Sequence, residues 1–149
     1  MLLTDFLRNN ASTRPAAPAV RHKDRVIDYA ELMQTVLDVG GGLRQLGLGR
    51  DERVAVYLPK RPETVFGLFG ASIAGGVFVP VNPVLKPPQV GHILRDCNVR
   101  VLITSRDRAD GLADELRACP DLRQVVTVDG SVSLPTHGPE VVTWEELTG

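Results

Sequence analysis

Apolar and polar positions along this chain follow two periods. From Arg53 onward, short runs of apolar residues alternate with stretches in which apolar residues recur every three or four positions. The runs are Val54 to Leu58, Val77 to Val81, Val99 to Ile103 and Gln124 to Val128. Their length and β-branched content predict strands. Between them, Val65, Phe66, Phe69 and Ile73 share one helical face. So do Val90, Ile93, Leu94 and Cys97, and then Ala109, Leu112, Ala113 and Leu116. Spacings of i, i+3, i+4 and i+7 predict helices.

The punctuation agrees with the periods. Pro62 and Pro88 open two of the helices, Ser105 caps the third and Pro120 stops it; proline is tolerated at a helix start, where its missing amide costs nothing. Pro80 falls inside a predicted strand. It cannot donate to a ladder, so that strand is expected at a sheet edge or an irregular spot. The order β-α-β-α-β-α-β, with near-continuous apolar strands and short connections, implies a mostly parallel sheet with helices on both faces. Strand order is left open.

Upstream, a helix fits Leu3 to Asn10. Ala19 to His22 and Arg25 to Ile27 form a small hairpin around Lys23-Asp24. Asp28 reads as an N-cap with Glu31 three residues on, an aspartate version of a capping box. Tyr29, Leu32, Met33, Val36, Leu43 and Leu46 continue at helical spacing, and Gly47 and Gly49 end that helix. Gly40, Gly41 and Gly42 interrupt it at a cost of roughly 0.5–1 kcal/mol each, which implies close packing there. A phosphate loop is the alternative, but such loops lie between a strand and a helix start. Downstream of Asp129 the rhythm fades. Val141-Val142 suggests a short strand, and Trp144 to Leu147 the first turn of a helix. The expected division is a leading helix and hairpin over residues 1–27, an α/β core over 28–128, and a loop-rich tail over 129–149 that reads as truncated.

With 149 residues, a chain buries roughly 68–70% of its unfolded surface, enough for one core. Hydrophobic residues are 43% and charged residues 23%, with a formal net charge of −1. Bulk electrostatics therefore favour neither nucleic acid nor an anionic membrane. No apolar run approaches the ~20 residues of a membrane span, and the amino terminus lacks the basic segment of a signal peptide. Cys97 and Cys119 lie on different predicted helices, which fits small buried hydrophobes in a reducing cytoplasm.

The chemistry-bearing motifs are few. There is no G-x-x-x-x-G-K-[ST], no G-x-G-x-x-G after a strand and no G-x-S-x-G elbow. His22, His92 and His137 are scattered, without ligand spacing. One site-like feature remains. Lys60 and Arg61 follow the first core strand and precede the Pro62 helix, where ligands of open parallel sheets gather. Basic side chains beside a helix N-terminus could hold an anion there, or they form a solvated, charged loop. Asn82-Pro83 follows the next strand and reads as a turn in which Asn bonds its own backbone.

Three segments, in order, carry a resemblance: Ile27 to Pro59 (IDYAELMQTVLDVGGGLRQLGLGRDERVAVYLP), Pro62 to Pro83 (PETVFGLFGASIAGGVFVPVNP) and Pro87 to Thr104 (PPQVGHILRDCNVRVLIT). Together they resemble the N-terminal part of AMP-forming acyl-CoA ligases, in the adenylate-forming superfamily. The wording from Val56 to Thr104 is most similar to ligases that accompany bacterial exosortase systems. Asp51-Glu52 departs from the family's usual Gly-Asp, and the triple glycine replaces residues that suit a helix better.

The resemblance implies a partial N-terminal subdomain of the adenylate-forming fold. For the whole enzyme it implies a carboxylic-acid substrate, ATP, coenzyme A and Mg²⁺. Activation gives an acyl-adenylate, and the acyl group then passes to the coenzyme A thiol. The family's Ser/Thr/Gly-rich phosphate loop, ribose-binding Asp and catalytic lysine have no counterpart in these residues. The chain is therefore expected to be scaffold, inactive alone and without bound cofactor. Its expected partners are the remainder of the enzyme and a second copy through an exposed face, in a bacterial cytoplasm. Two other readings stay open: a self-contained flavodoxin-like binder and a non-catalytic interaction module.

Overall fold

A computed structural model describes residues 2–149. Helix α1 (Leu3–Thr13) leads into an antiparallel hairpin of β1 (Pro18–His22) and β2 (Arg25–Asp28). Asp28 then caps α2 (Tyr29–Gln45), its Oδ1 accepting the Glu31 amide at 2.8 Å. The reciprocal half of the expected capping box is not made. The Glu31 carboxylate instead pairs with Arg25 of the hairpin at 2.9 Å.

The core elements follow in the predicted order: β3 (Arg53–Tyr57), α3 (Pro62–Ile73), β4 (Val77–Pro80), α4 (Pro87–Asp96) and β5 (Val99–Thr104). After Ser105 the expected single helix is two short ones, α5 (Arg106–Gly111) and α6 (Ala113–Arg117). Gly111 sits at the break, and glycine is a poor helix former. The break keeps Ala109, Leu112 and Leu116 all buried. β6 (Gln124–Thr127), β7 (Glu140–Thr143) and α7 (Trp144–Thr148) complete the chain.

The five core strands form one sheet in the order β4-β3-β5-β6-β7, every pairing parallel. Pro80 therefore lies on an edge strand, as its missing amide requires. The tail supplies the other edge. Val141 and Val142 of β7 pair with Val125 and Val126 of β6, so residues 129–149 return to the sheet after their loop.

Side chains alternate between two cores. On one face, Val54, Val56, Ile103, Val126 and Val142 meet helices α1, α2, α3 and α7 through Leu7, Val39, Phe66 and Leu147. On the other face, Ala55, Tyr57, Leu102 and Val125 meet α4, α5 and α6 through Val90, Leu94, Ala109 and Leu116. The inner strands β3, β5 and β6 are covered on both faces, which explains their unbroken apolar runs.

The triple glycine is a packing device. A Cβ on Gly40 collides with Ile73 Cγ2 of α3 and comes within 3.3 Å of the Gly70 carbonyl. One on Gly42 collides with the Leu147 carbonyl of α7. Gly41 faces outward with nothing within 4 Å. Two of the three therefore let helices approach closely, and none lies in a phosphate loop.

Candidate functional site

Open parallel sheets bind ligands outside the carboxyl ends of their strands, where strand order reverses. Here the first strand, β3, lies between the second and third, β4 and β5, so the reversal falls between β3 and β5. The segments around that edge are Leu58 to Arg61 after β3, Val81 to Lys86 after β4, and Ser105 after β5.

Three depressions open along it. The first, about 440 Å³, is an apolar groove walled by Val56, Leu58, Leu68 and Val81, with Lys60 and Asn82 at its rim. The second, about 490 Å³, is bounded by His22, Lys23 and Arg25 of the hairpin and by Lys60, Arg61 and Glu63. The third, about 560 Å³, lies over Tyr57, Leu85, Lys86 and Arg108.

The third depression has a braced floor. The Arg108 guanidinium stacks 4.3 Å from the Tyr57 ring centroid and donates to the Pro83 carbonyl at 2.9 Å. The Tyr57 hydroxyl donates to the Leu85 carbonyl at 2.6 Å. Asn82 Oδ1 accepts the Val84 amide at 3.1 Å, the local turn expected of Asn82-Pro83. These bonds fasten the segment after β4 onto the sheet.

Lys60 and Arg61 occupy the β3–α3 junction, as the sequence indicated, and both line the second depression. Arg61 is the residue preceding the first turn of α3. Its Nε and Nη2 donate to the Glu63 carboxylate at 2.7 and 3.3 Å. Burial pushes the Glu63 carboxyl up, but the Arg61 hydrogen bond and charge outweigh it and hold the group below its ordinary value. The same bond raises Arg61. Lys60 has no ion-pair partner among the described residues.

His22, Lys23 and Arg25 were not foreseen as site residues. The only sequence signal was their basic run, and its distance from Lys60 along the chain hid the proximity. The hairpin reaches the β3–α3 junction because β1 packs against α3.

A row of hydroxyls crosses the same edge. Thr104 of β5 pairs with Thr127 of β6, which pairs with Thr143 of β7. Thr104 donates to the Tyr57 carbonyl at 2.6 Å, and Thr143 accepts the Glu146 amide at 3.2 Å. Thr127, fully buried between them, has no partner for its hydroxyl.

The described residues do not fit a metal centre, because no three His, Cys, Asp or Glu side chains stand close enough to share an ion. They also present no glycine-rich turn between a strand and a helix to cradle a triphosphate. Cys119 is a buried thiol donating to the Glu115 carbonyl at 3.2 Å, and burial pushes it up, away from thiolate chemistry. Among the described residues, no helix is long and apolar enough to cross a membrane.

Residues 7–146 match the family described as AMP-binding enzyme. The chain belongs to this family. Among AMP-binding relatives, the feruloyl-CoA synthase of an Amycolatopsis species is 39% identical over 103 residues, 69% of this chain and 21% of its own length. The acetyl-coenzyme A synthetase of Pseudoalteromonas atlantica is 28% identical over 139 residues, 85% of this chain and 21% of its own. The crystal structure of an anthranilate CoA ligase in complex with anthranoyl-AMP superposes with a TM-score of 0.85 at 28% identity. That superposition covers 99% of this chain and 28% of the ligase. This AMP-binding chain thus spans about a fifth of the length of these two curated relatives.

The family and fold read from the sequence therefore hold, and the flavodoxin-like reading is not favoured, although the strand order matches that topology. Asp51, in the turn before β3, adopts a φ of 63°. Aspartate enters that left-handed region more readily than most residues with a side chain.

Proposed function

We propose that this chain is part of an enzyme that activates a carboxylic acid with ATP and passes the acyl group from the adenylate to coenzyme A. The observation that carries this reading is the family match over residues 7–146, joined to relatives named for acyl-CoA synthesis. In the complete enzyme, ATP with Mg²⁺ would supply the adenylating group, and coenzyme A the acceptor thiol. The residues described here contribute a scaffold. The sheet fixes the β3–α3 and β4–α4 segments through the Tyr57, Arg108 and Thr104 bonds, and preorganised positioning of this kind is a large part of such catalysis.

Acid-dependent pyrophosphate release tests the reading. The complete gene product is expected to release pyrophosphate with a matching carboxylic acid and to form its acyl-CoA. The 149-residue chain alone is expected to do neither. Acyl-hydroxamate formation by the chain alone would overturn the scaffold role, and an inert complete enzyme across short, long and aryl acids would overturn the activity.

Finer parts of the reading stand on the sequence. Assignment to the exosortase-associated ligases rests on the wording of Val56 to Thr104, and gene neighbourhood tests it. A homodimer and a bacterial cytoplasmic setting are tested by sedimentation equilibrium and cell fractionation.

A further inference from the structure

The second depression gathers positive charge from segments far apart in sequence. Lys23 sits at the hairpin turn in the left-handed backbone region, with a φ of 53°. His22 and Arg25 face each other across the hairpin register beside it. Lys60 and Arg61 arrive from the end of β3. Four cations thus line a space of about 490 Å³, and the carboxylate among its lining residues is that of Glu63.

Two of the four are already balanced. Arg61 is held by Glu63, and Arg25 by Glu31. Lys23 and Lys60 have no ion-pair partner among the described residues. Like charges converging on a concave surface focus their field into it and raise the local concentration of anions. The 12-residue helix α3 also starts at this depression, and its dipole adds positive potential there.

We propose that this depression binds a small soluble anion bearing one or two phosphate groups, with Lys23 and Lys60 as its principal contacts. Two ammonium groups from separate segments suit a multiply charged, multi-acceptor phosphate better than a single carboxylate. Arg61, oriented by Glu63, positions the β3–α3 junction around it. The inference is independent of the proposed acid activation and has its own readout.

The test is titration of the chain with inorganic pyrophosphate at constant ionic strength, followed by calorimetry and amide chemical shifts. Saturable binding is expected, with shifts centred on residues 22–25 and 59–64. Lys23→Ala and Lys60→Ala should each weaken it by about tenfold. Glu63→Gln removes the lining carboxylate and unpairs Arg61, so it should tighten binding several-fold. Arg50→Ala, an exposed cation before the opposite end of β3, should change nothing. Binding no stronger than that of chloride at equal ionic strength would overturn the proposal. So would equal losses in Arg50→Ala and the lysine variants, or association only with phosphatidic-acid vesicles.

Discussion

Replacing each glycine of the α2 triplet by alanine should give opposite signs one residue apart. At Gly41 the added methyl meets nothing within 4 Å. Alanine there gains helix propensity and should stabilise by about 0.5–1 kcal/mol. At Gly42 the methyl collides with the Leu147 carbonyl oxygen and lies 2.8 Å from Leu147 Cδ1. A backbone oxygen cannot rotate aside, and α7 is held by the buried Leu147 and the Thr143 cap. Relief therefore requires α7 to lift. Overpacking costs roughly 1–3 kcal/mol, and a backbone clash belongs at the top of that range. After the propensity gain, Gly42→Ala should be destabilised by about 2 kcal/mol. The two variants then differ by about 3 kcal/mol, or more than 1 M in urea midpoint at a slope of roughly 2 kcal/mol/M. Gly40→Ala should also be destabilised, because Ile73 Cγ2 branches at Cβ, where a helical isoleucine is stiff, and the Gly70 carbonyl lies 3.3 Å away. The assay is equilibrium urea unfolding followed by Trp144 fluorescence and circular dichroism. If Gly42→Ala unfolds at or above the Gly41→Ala midpoint, the close approach of α7 to α2 is wrong.

Two further predictions concern single polar groups. Glu52 accepts the Gly49 amide at 2.7 Å and pairs with Arg100 and Arg123 at 2.9 and 2.7 Å, tying together the amino ends of β3, β5 and β6. The Gly49 bond first, against burial, and then Arg100 and Arg123 hold its carboxyl below the ordinary 4.5. A depressed carboxyl stabilises above its unfolded value and loses that contribution as pH falls through the folded one. Wild type should therefore lose stability as pH falls below about 4.5, and Glu52→Gln should flatten that part of a urea-midpoint profile while lowering the neutral plateau. Thr127→Val removes a buried hydroxyl with no partner and should stabilise by about 1 kcal/mol; a drop in thermal midpoint would mean that the hydroxyl is satisfied.

What the sequence revealed, and what it did not, divides by range. Asp28 and Ser105 precede their helices and accept amides within the first turn, and such contacts span only three residues. Pro80 announced an edge because its missing donor is a property of one residue. The α5–α6 break was missed because an i, i+3, i+4, i+7 pattern survives a bend at Gly111. The standing of β7 depended on Val125 and Val126, across a loop whose course no local rule sets. The candidate site divides in the same way. Lys60 and Arg61 were legible from their place after a strand, whereas Lys23 and His22 join them only through the packing of β1 on α3.

The seat of Leu147 on Gly42 has a consequence for the order in which the chain can mature. The two residues are over a hundred positions apart. As the polypeptide leaves the ribosome, α2 emerges early and can pair with α3 across Gly40 and Gly70, yet the part of its surface reserved for α7 stays bare until α7 itself is synthesised. During that interval Val39 and Leu43, buried in the finished protein beside Leu147, lack part of their cover. Along this seam a growing chain is open to proteases and chaperones until Leu147 arrives.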